Sequence, residues 1–511
     1  MTGTDDASTT GRTAGLTHAG ADWAGLRVVV AGLGVSGFAA ADALLQRGAA
    51  VVAVDDRDGP AERDAAELVD VLGGTALLGP GSSAELPGVA GARPDLVVTS
   101  PGWRPDAPLL ARAAAAGIDV WGEVELAWRL RPLTGAAPWL TITGTNGKTT
   151  AVRMLEQMLV AAGLRAVAVG NVGTPLLHAI SADGDPVPYD VLAVELSSFQ
   201  LHWSRSVAPR ASACLNVAPD HVDWHGSLAE YTRAKGRVYA GTEVACVYNA
   251  ADPVTEQLVR DADVVDGCRA VGFTLGVPAP SMLGVVDDVL CDRAFVAERA
   301  TSAAELATLA DLRDVGGGVV AAHTVANALA AAALARAHGV PPVAVRDGLR
   351  GARPEPHRIA VVASAGGVTW VDDSKATNPH AADASLRAFE RVVWVAGGLA
   401  KGADYTDLVR VHAPRVRAVV LIGVDRAALR DALSRHAPDV PVVEVEPGET
   451  GPVPLPQAVM SRAVAAAASV AAPGDTVLLA PASASMDQFR SYAERGEVFA
   501  AAVRAHLAGE S

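Results

Sequence analysis

The sequence predicts an α/β protein of three domains, each built on a mainly parallel sheet. Three observations carry that reading. Short apolar strand runs alternate with helical periodicity along the whole 511-residue chain. Two glycine-rich turns, Gly32-Leu33-Gly34-Val35-Ser36-Gly37 and Gly144-Thr145-Asn146-Gly147-Lys148-Thr149, each join a strand to a helix. At about 100–200 residues per domain, the length suffices for three separate cores.

Residues 1–20 are small, polar and acidic, with neither a basic start nor an apolar run. They read as a disordered tail rather than a signal peptide. The first domain, 21–133, opens with a strand at 27–31 and an Ala-rich helix ending near Gly48. A second strand at 50–54 leads into Asp55-Asp56-Arg57. A GxGxxG turn with an acidic residue about 20 positions on is a dinucleotide fingerprint, and alone it predicts NAD. The same glycine geometry serves any pyrophosphate at a helix start. A third strand at 95–99 ends in Ser100-Pro101-Gly102.

The second domain, 134–354, holds the more telling turn. Trp139, Leu140 and the β-branched residues after them form a strand. Two glycines then let the backbone present bare N–H groups to an anion. Lys148 supplies a cation for terminal phosphates and Thr149 a hydroxyl suited to Mg2+. Val152, Leu155, Met158 and Leu159 continue as a helix stopped by Gly163. The strict Walker pattern wants a glycine where Ile142 stands. Further strands end at Glu195, followed by Leu196-Ser197-Ser198-Phe199-Gln200, and at Asp220-His221. The stretch 276–318 reads as an irregular surface excursion ending in three glycines. Gly351-Ala352-Arg353-Pro354-Glu355-Pro356 reads as a linker and a candidate hinge.

The third domain, 355–511, repeats the βα rhythm, with strands at 368–371, 392–396, 418–422, 442–445 and 476–479. Polar clusters again follow strand ends: Asp372-Asp373-Ser374-Lys375-Ala376-Thr377-Asn378, Gly397-Gly398 with Lys401, and Pro481-Ala482-Ser483-Ala484-Ser485. Open α/β sheets bind ligands beyond the carboxyl ends of their strands. Glu195 is there a candidate Mg2+ ligand. Ser197 and Ser198 lack a GxSxG elbow, and His221 with His225 lacks HExxH.

Composition removes other classes. A net charge of −15 argues against nucleic acid as the main partner. No run approaches the roughly 18 apolar residues of a membrane span. The four cysteines show no CxxC spacing, so neither a zinc knuckle nor a disulfide framework is expected, and a reducing cytoplasm fits.

In this order, the phosphate loop, Glu-Leu-Ser-Ser-Phe-Gln at 195–200, Asp-His at 220–221, Asp-Ser-Lys-Ala-Thr-Asn at 373–378 and Asp-Gln-Phe at 487–489 resemble the Mur ligases, ATP-dependent amide-bond formers of peptidoglycan synthesis. With the GLGxSG start, the chain is most similar to the family's D-glutamate-adding branch over about 27–499. The resemblance implies a Rossmann-like UDP-binding first domain, a central P-loop-type ATPase domain and a C-terminal Rossmann-like domain that binds the amino acid. It implies ligation of D-glutamate to UDP-N-acetylmuramoyl-L-alanine through an acyl phosphate, by a cytoplasmic monomer with no nucleic-acid or membrane partner.

Carried over by motif, Gly144, Thr145, Asn146, Gly147, Lys148, Thr149 and Thr150 would hold the ATP phosphates, and Asn327, Arg358 and Asp373 the adenine and ribose side. Thr149 and Glu195 would hold one Mg2+, and His221 with a carbamylated Lys235 a second. Lys148, Glu195, His221 and Lys235 are then the catalytic set. Read from the residues alone, Arg233, Lys235 and Arg237 form a solvated basic helix face. If Lys235 is carbamylated, those two arginines are the expected depressors of its pKa. Lys375, Thr377, Lys401, Ser485 and Tyr492 match the D-glutamate pocket, and Val35, Ser36, Asp56, Arg57, Ser100 and Asn171 the uridine substrate. The chain departs from the family where His323-Thr324 replaces the usual His-Asn. Rival readings are an NAD-dependent oxidoreductase, another Mur-type amide ligase, or a non-catalytic ATP-binding switch.

Overall fold

Val- and Ala-rich runs of four to seven residues, buried on both faces, are what a parallel sheet covered by helices requires. The computed structural model describes residues 10–180, 188–313, 320–353, 356–446 and 455–509, and contains three such sheets. The first comprises β1 (Arg27–Ala31), β2 (Ala50–Asp55), β3 (Thr75–Leu78), β4 (Leu96–Thr99) and β5 (Asp119–Gly122), all parallel in the order β3-β2-β1-β4-β5.

The second sheet contains β6 (Trp139–Thr143), β7 (Ala166–Gly170), β8 (Val191–Glu195), β9 (Ala211–Cys214), β10 (Ala245–Asn249) and β11 (Arg269–Phe273). It continues through β12 (Met282–Val286), β13 (Val289–Asp292) and β14 (Ala304–Thr308), in the order β14-β13-β12-β11-β10-β9-β6-β8-β7. The third contains β15 (Ala360–Ala365), β16 (Val368–Asp372), β17 (Val392–Gly397), β18 (Val416–Ile422), β19 (Val442–Glu444) and β20 (Thr476–Leu479), in the order β15-β16-β20-β17-β18-β19. Only the β15–β16 pair in it is antiparallel.

Two expectations change. The stretch beginning at 276 is no surface excursion over its described part. Strands β12, β13 and β14 pair antiparallel and widen the central sheet, with Leu283, Leu290, Leu306 and Leu312 buried. Alternation too short to stand out in sequence is satisfied there by cross-strand pairing. The tail expected to be disordered is ordered from Thr10 onward: Thr10–Ala14 is helical, and Leu16, Ala19 and Trp23 are buried. Thr13 Oγ1 donates to Asp119 at 2.6 Å, and Arg12 pairs with Asp95 at 3.2 Å. Residues 1–9 lie outside the described residues, as do Pro354 and Glu355 of the linker.

The first two sheets share one core. Val28 and Leu44 pack in the same apolar cluster as Trp139, Leu192 and Val194. Buried Glu125 reinforces the junction, accepting from Arg205 N at 2.7 Å, Ser206 N at 2.9 Å and Ser206 Oγ at 2.6 Å. The two clusters of the third sheet are drawn from residues beyond 358. Among the described residues, no helix is long and apolar enough to cross a membrane.

Candidate active site

The phosphate loop is built by one strand end and one left-handed glycine. Ile142 pairs with Glu195 of β8 and Ala213 of β9, so the position where a strict Walker loop has glycine is here strand interior. Gly147, at φ 86°, ends the turn, and the helix Lys148–Ala161 starts without a side-chain cap. Its first N–H groups are therefore left to an anion. Asn216, which the sequence reading passed over, clamps the loop: its Oδ1 accepts from Asn146 N at 2.9 Å, and its Nδ2 donates to Asn146 O at 3.1 Å. A polar residue just past β9 was the available signal.

Two ammonium groups converge on one carbonyl. Lys148 Nζ donates to Gly144 O at 2.8 Å and to Thr145 O at 3.0 Å, while Lys235 Nζ donates to the same Gly144 O at 2.7 Å. Burial, with Lys148 beside it, lowers the Lys235 pKa to about 7. Burial also lowers that of Lys148, against the pull of Glu195 and Asp220. This corrects the expected origin of the Lys235 shift, because Arg233 pairs with Glu230 and Arg237 donates to the carbonyls of Leu201 and His202. Lys235 is not on a solvated face either, being 2% exposed.

Glu195 ends β8 at 1% exposure. Its Oε1 accepts from Asn171 Nδ2 at 2.9 Å, and its Oε2 is buried with no hydrogen-bond partner. An orphaned carboxylate oxygen lining the same cavity as a buried Thr149 fits a hard cation. His221, at φ 51°, packs against Phe199 with the rings tilted and their centroids 4.7 Å apart, and burial lowers its pKa. Among the described residues no three His, Cys, Asp or Glu side chains cluster for a metal. A cation here would complete its shell with the hydroxyl, phosphate oxygens and water, as Mg2+ commonly does.

The loop from Thr145 onward, Glu195 and His221 open into a cavity of about 400 Å3 between the second and third sheets, whereas Gly144 and Lys235 do not line it. Of the predicted nucleotide residues, Thr145 to Thr150, Asn327, Arg358 and Asp373 line it, as do Glu195, His221 and Asn171. Burial pushes the Asp373 carboxyl up to about 7, although the Ser385 hydroxyl donates to it. His323 and Thr324, where the family pattern is broken, line it too. From the third sheet come Lys375, Thr377 and Tyr492. Lys401 and Ser485 do not line this cavity. They lie instead by the β-bridge joining Leu399 to Ala484, with Ser485 buried. Asn378 and His380 were not assigned from sequence, yet they carry the polar contact between the two units: Asn146 Nδ2 lies 3.0 Å from His380 Nδ1, and Asn378 Nδ2 donates to Asn146 Oδ1 at 3.2 Å.

The residues expected to meet the uridine substrate gather at the carboxyl ends of β1, β2 and β4, with Asn171 apart from them. Val35 is 75% exposed, Ser100 Oγ donates to Gly32 O at 3.2 Å, and Asp56 accepts from Ser83 N at 2.9 Å. Arg57 pairs with Asp55 at 2.9 Å and Glu62 at 3.0 Å. Ser36 is the second residue of the helix Val35–Leu45.

Comparison with known proteins agrees with this arrangement. Residues 26–122 match the Mur ligase MurD-like N-terminal domain, 142–335 the Mur ligase middle domain, and 357–483 the Mur ligase glutamate ligase domain. A UDP-N-acetylmuramoylalanine--D-glutamate ligase of Streptomyces avermitilis is 58% identical over 94% of this chain and 99% of its own length. One from Mycolicibacterium smegmatis is 48% identical over 94% and 97%. Two solved structures share the fold. The UDP-N-acetylmuramate-alanine ligase MurC of Thermotoga maritima has 18% identity and a TM-score of 0.53 over 95% of this chain and 100% of its own. The MurF ligase of Thermotoga maritima, in complex with ADP, has 17% identity and a TM-score of 0.51 over 95% and 96%. With three consecutive domain matches and close relatives along nearly its whole length, the chain belongs to the Mur ligase family, in its UDP-N-acetylmuramoylalanine--D-glutamate ligase branch.

Proposed function

We infer that the chain joins D-glutamate to UDP-N-acetylmuramoyl-L-alanine at the expense of ATP, in peptidoglycan precursor synthesis. The observation that carries the reading is the 58% identity to a D-glutamate ligase across nearly the full chain. The cavity supports it chemically, with a phosphate loop on one wall and Lys375 and Thr377 on the other.

In this reading the substrate carboxylate attacks the γ-phosphorus of ATP, which leaves as ADP, and an acyl phosphate forms. The D-glutamate amine then attacks the acyl carbon, phosphate departs and an amide remains. Gly144 to Thr150 cradle the phosphates, and Lys148 neutralises charge developing on the transferred group. Asn327, Arg358 and Asp373 take the nucleoside side. Lys375, Thr377 and Tyr492, with Lys401 and Ser485 brought in by closure, take the dicarboxylate. Val35, Ser36, Asp56, Arg57, Ser100 and Asn171 take the uridine substrate. Bound Mg2+ supplies charge neutralisation at the phosphates, with Thr149 and Glu195 fitted to one ion and His221 and Lys235 to a second. A Lys235 pKa near 7 supplies the neutral amine that addition of CO2 requires, and loss of the proton leaves a carbamate oxygen donor. Because the third sheet keeps its own cores and meets the loop through polar side chains, closure about 351–356 is the proposed motion. A cytoplasmic monomer is part of the same proposal.

The test is phosphate release from ATP and Mg2+ with UDP-N-acetylmuramoyl-L-alanine, offering D-glutamate, L-glutamate, L-lysine or no amino acid. Release that depends on D-glutamate, with the amide product by mass, is expected. Release with another amino acid would overturn the specificity but not the reaction class.

A further inference from the structure

Two thiols outside the ligation site face each other across neighbouring strands. Cys246 lies within β10, paired with Ser212 of β9 and Ala270 of β11, and is 2% exposed. Cys268 stands just before β11 and is partly open to solvent. Their sulfur atoms are 3.8 Å apart. The turn bearing Cys268 is pinned at that distance by its backbone: Cys268 N donates to Val265 O at 3.0 Å, Val265 N to Thr242 O at 3.1 Å, and Gly241 N to Asp263 O at 2.8 Å.

The two thiols are chemically unequal. The S–H of Cys246, donating to the Cys268 sulfur, holds Cys268 below the usual thiol range, and Arg269 adds to the effect. The same contact, with burial, pushes Cys246 up. Burial raises Cys214 and Cys291 as well. A partly accessible thiol of lowered pKa beside a buried partner is the arrangement in which a sulfenic acid is captured before it oxidises further. Sequence spacing gave no sign of it, because the two residues meet through parallel strand pairing.

We propose that Cys268 and Cys246 form a peroxide-responsive pair, with Cys268 as the attacking thiol and Cys246 as the resolving one. The Cys268 thiolate attacks one oxygen of a hydroperoxide, the O–O bond breaks, and sulfenic acid and hydroxide (or alkoxide) result. The Cys246 sulfur then attacks the Cys268 sulfur. An S–S bond forms, the S–O bond breaks, and the hydroxyl leaves with the thiol proton as water. Two thiols lose two electrons and the peroxide gains them; a dithiol reductant reverses the change. Neither cysteine lines the ATP cavity, so turnover of the reduced protein does not depend on the pair. The bridge closes the segment 246–268 and restricts the unfolded chain, so the oxidised protein resists heat better.

The experiment uses the full chain, reduced, then treated with a small excess of hydrogen peroxide, alkylated and mapped by mass spectrometry, with melting followed in parallel. Expected are a peptide pair joining Cys246 to Cys268 and lacking two hydrogens, and a rise in Tm that dithiothreitol reverses. Cys268→Ser abolishes both and keeps basal ligase turnover. Cys246→Ser leaves Cys268 as a sulfenic acid trapped by dimedone. Recovery of all four thiols after peroxide would overturn the proposal. So would a Cys268 carrying two or three oxygens while Cys246 stays free, or a bridge found only between two copies of the chain.

Discussion

Gly147→Ala isolates what the phosphate loop owes to one backbone angle. At φ 86° an alanine pays about 1–2 kcal/mol for the left-handed conformation. Its Cβ would also overlap Oδ1 of Asn327, a residue held at 4% exposure on the helix Ala322–His338. The loop can relax into another turn, so the strain appears as depletion of the state that binds phosphate. At 1.4 kcal/mol per tenfold, the strain alone multiplies the ratio of relaxed to competent turns by about 5–30, and the apparent Kd for ATP rises by up to that factor once the relaxed turn dominates. Displacement of Asn327 adds to that. The assay is KM for ATP at saturating amino acid and UDP substrate, with calorimetric Kd to separate binding from turnover. Asn327→Ala and the double variant complete a cycle: the overlap term vanishes in the double variant, and the φ term stays. A Gly147→Ala protein with a KM and Kd for ATP within about twofold of the parent would refute this reasoning, since neither the strain nor the overlap with Asn327 would then deplete the binding turn.

Three further outcomes follow from the same geometry. Asn171→Ala removes the amide that orients Glu195, so half-saturation by Mg2+ should rise about 10–100-fold; a change confined to KM for the UDP substrate would show that Asn171 acts only there. Lys375→Met should raise KM for D-glutamate about 10–100-fold, the loss of a charge-assisted bond, and leave Kd for ATP unchanged; an equal effect on ATP would move Lys375 to the nucleotide. Glu123, 2% exposed, accepts from Leu177 N, and burial pushes it from 4.5 to about 7. A raised carboxyl favours the protonated folded state, so its stability is lost as pH climbs from 4.5 through 7, by about 3 kcal/mol in all. Glu123→Gln escapes that loss, and its stability advantage should grow by about 1 kcal/mol between pH 6 and 8.5, read as the difference in Tm from the parent. A difference that stays flat with pH would sink the assignment.

The sheets were legible because they are made of local runs: β1, β2, β8 and β17 announce themselves as unbroken apolar stretches. So was the loop, because its chemistry is contiguous from Gly144 to Thr150. The strands β12 to β14 were not, since each depends on its neighbour and alternates too briefly to register. The lysine pair escaped for another reason. Lys148 and Lys235 are far apart in sequence, and only the sheet brings both ammoniums to Gly144 O. Sequence pointed to Arg233 and Arg237 as the source of the Lys235 shift, whereas depth of burial sets it.

The glycine fingerprint of the first sheet shows how a correct local reading can mislead about a ligand. Gly32 lies at φ 89°, and a Cβ on Gly37 would overlap Gly32 O, so the glycines are there for the turn itself. In a dinucleotide site the acid ending the second strand must offer its oxygens to a ribose. Here Asp55 is 3% exposed and spends both oxygens internally: Oδ2 accepts from Leu33 N at 2.8 Å and Arg57 Nη2 at 2.9 Å, and Oδ1 from Arg57 N at 2.9 Å. That carboxylate fastens the glycine turn to β2 and is bound before any ligand arrives. Glycine spacing reports the path of the backbone; the ligand is decided by which polar atoms that path leaves unspent.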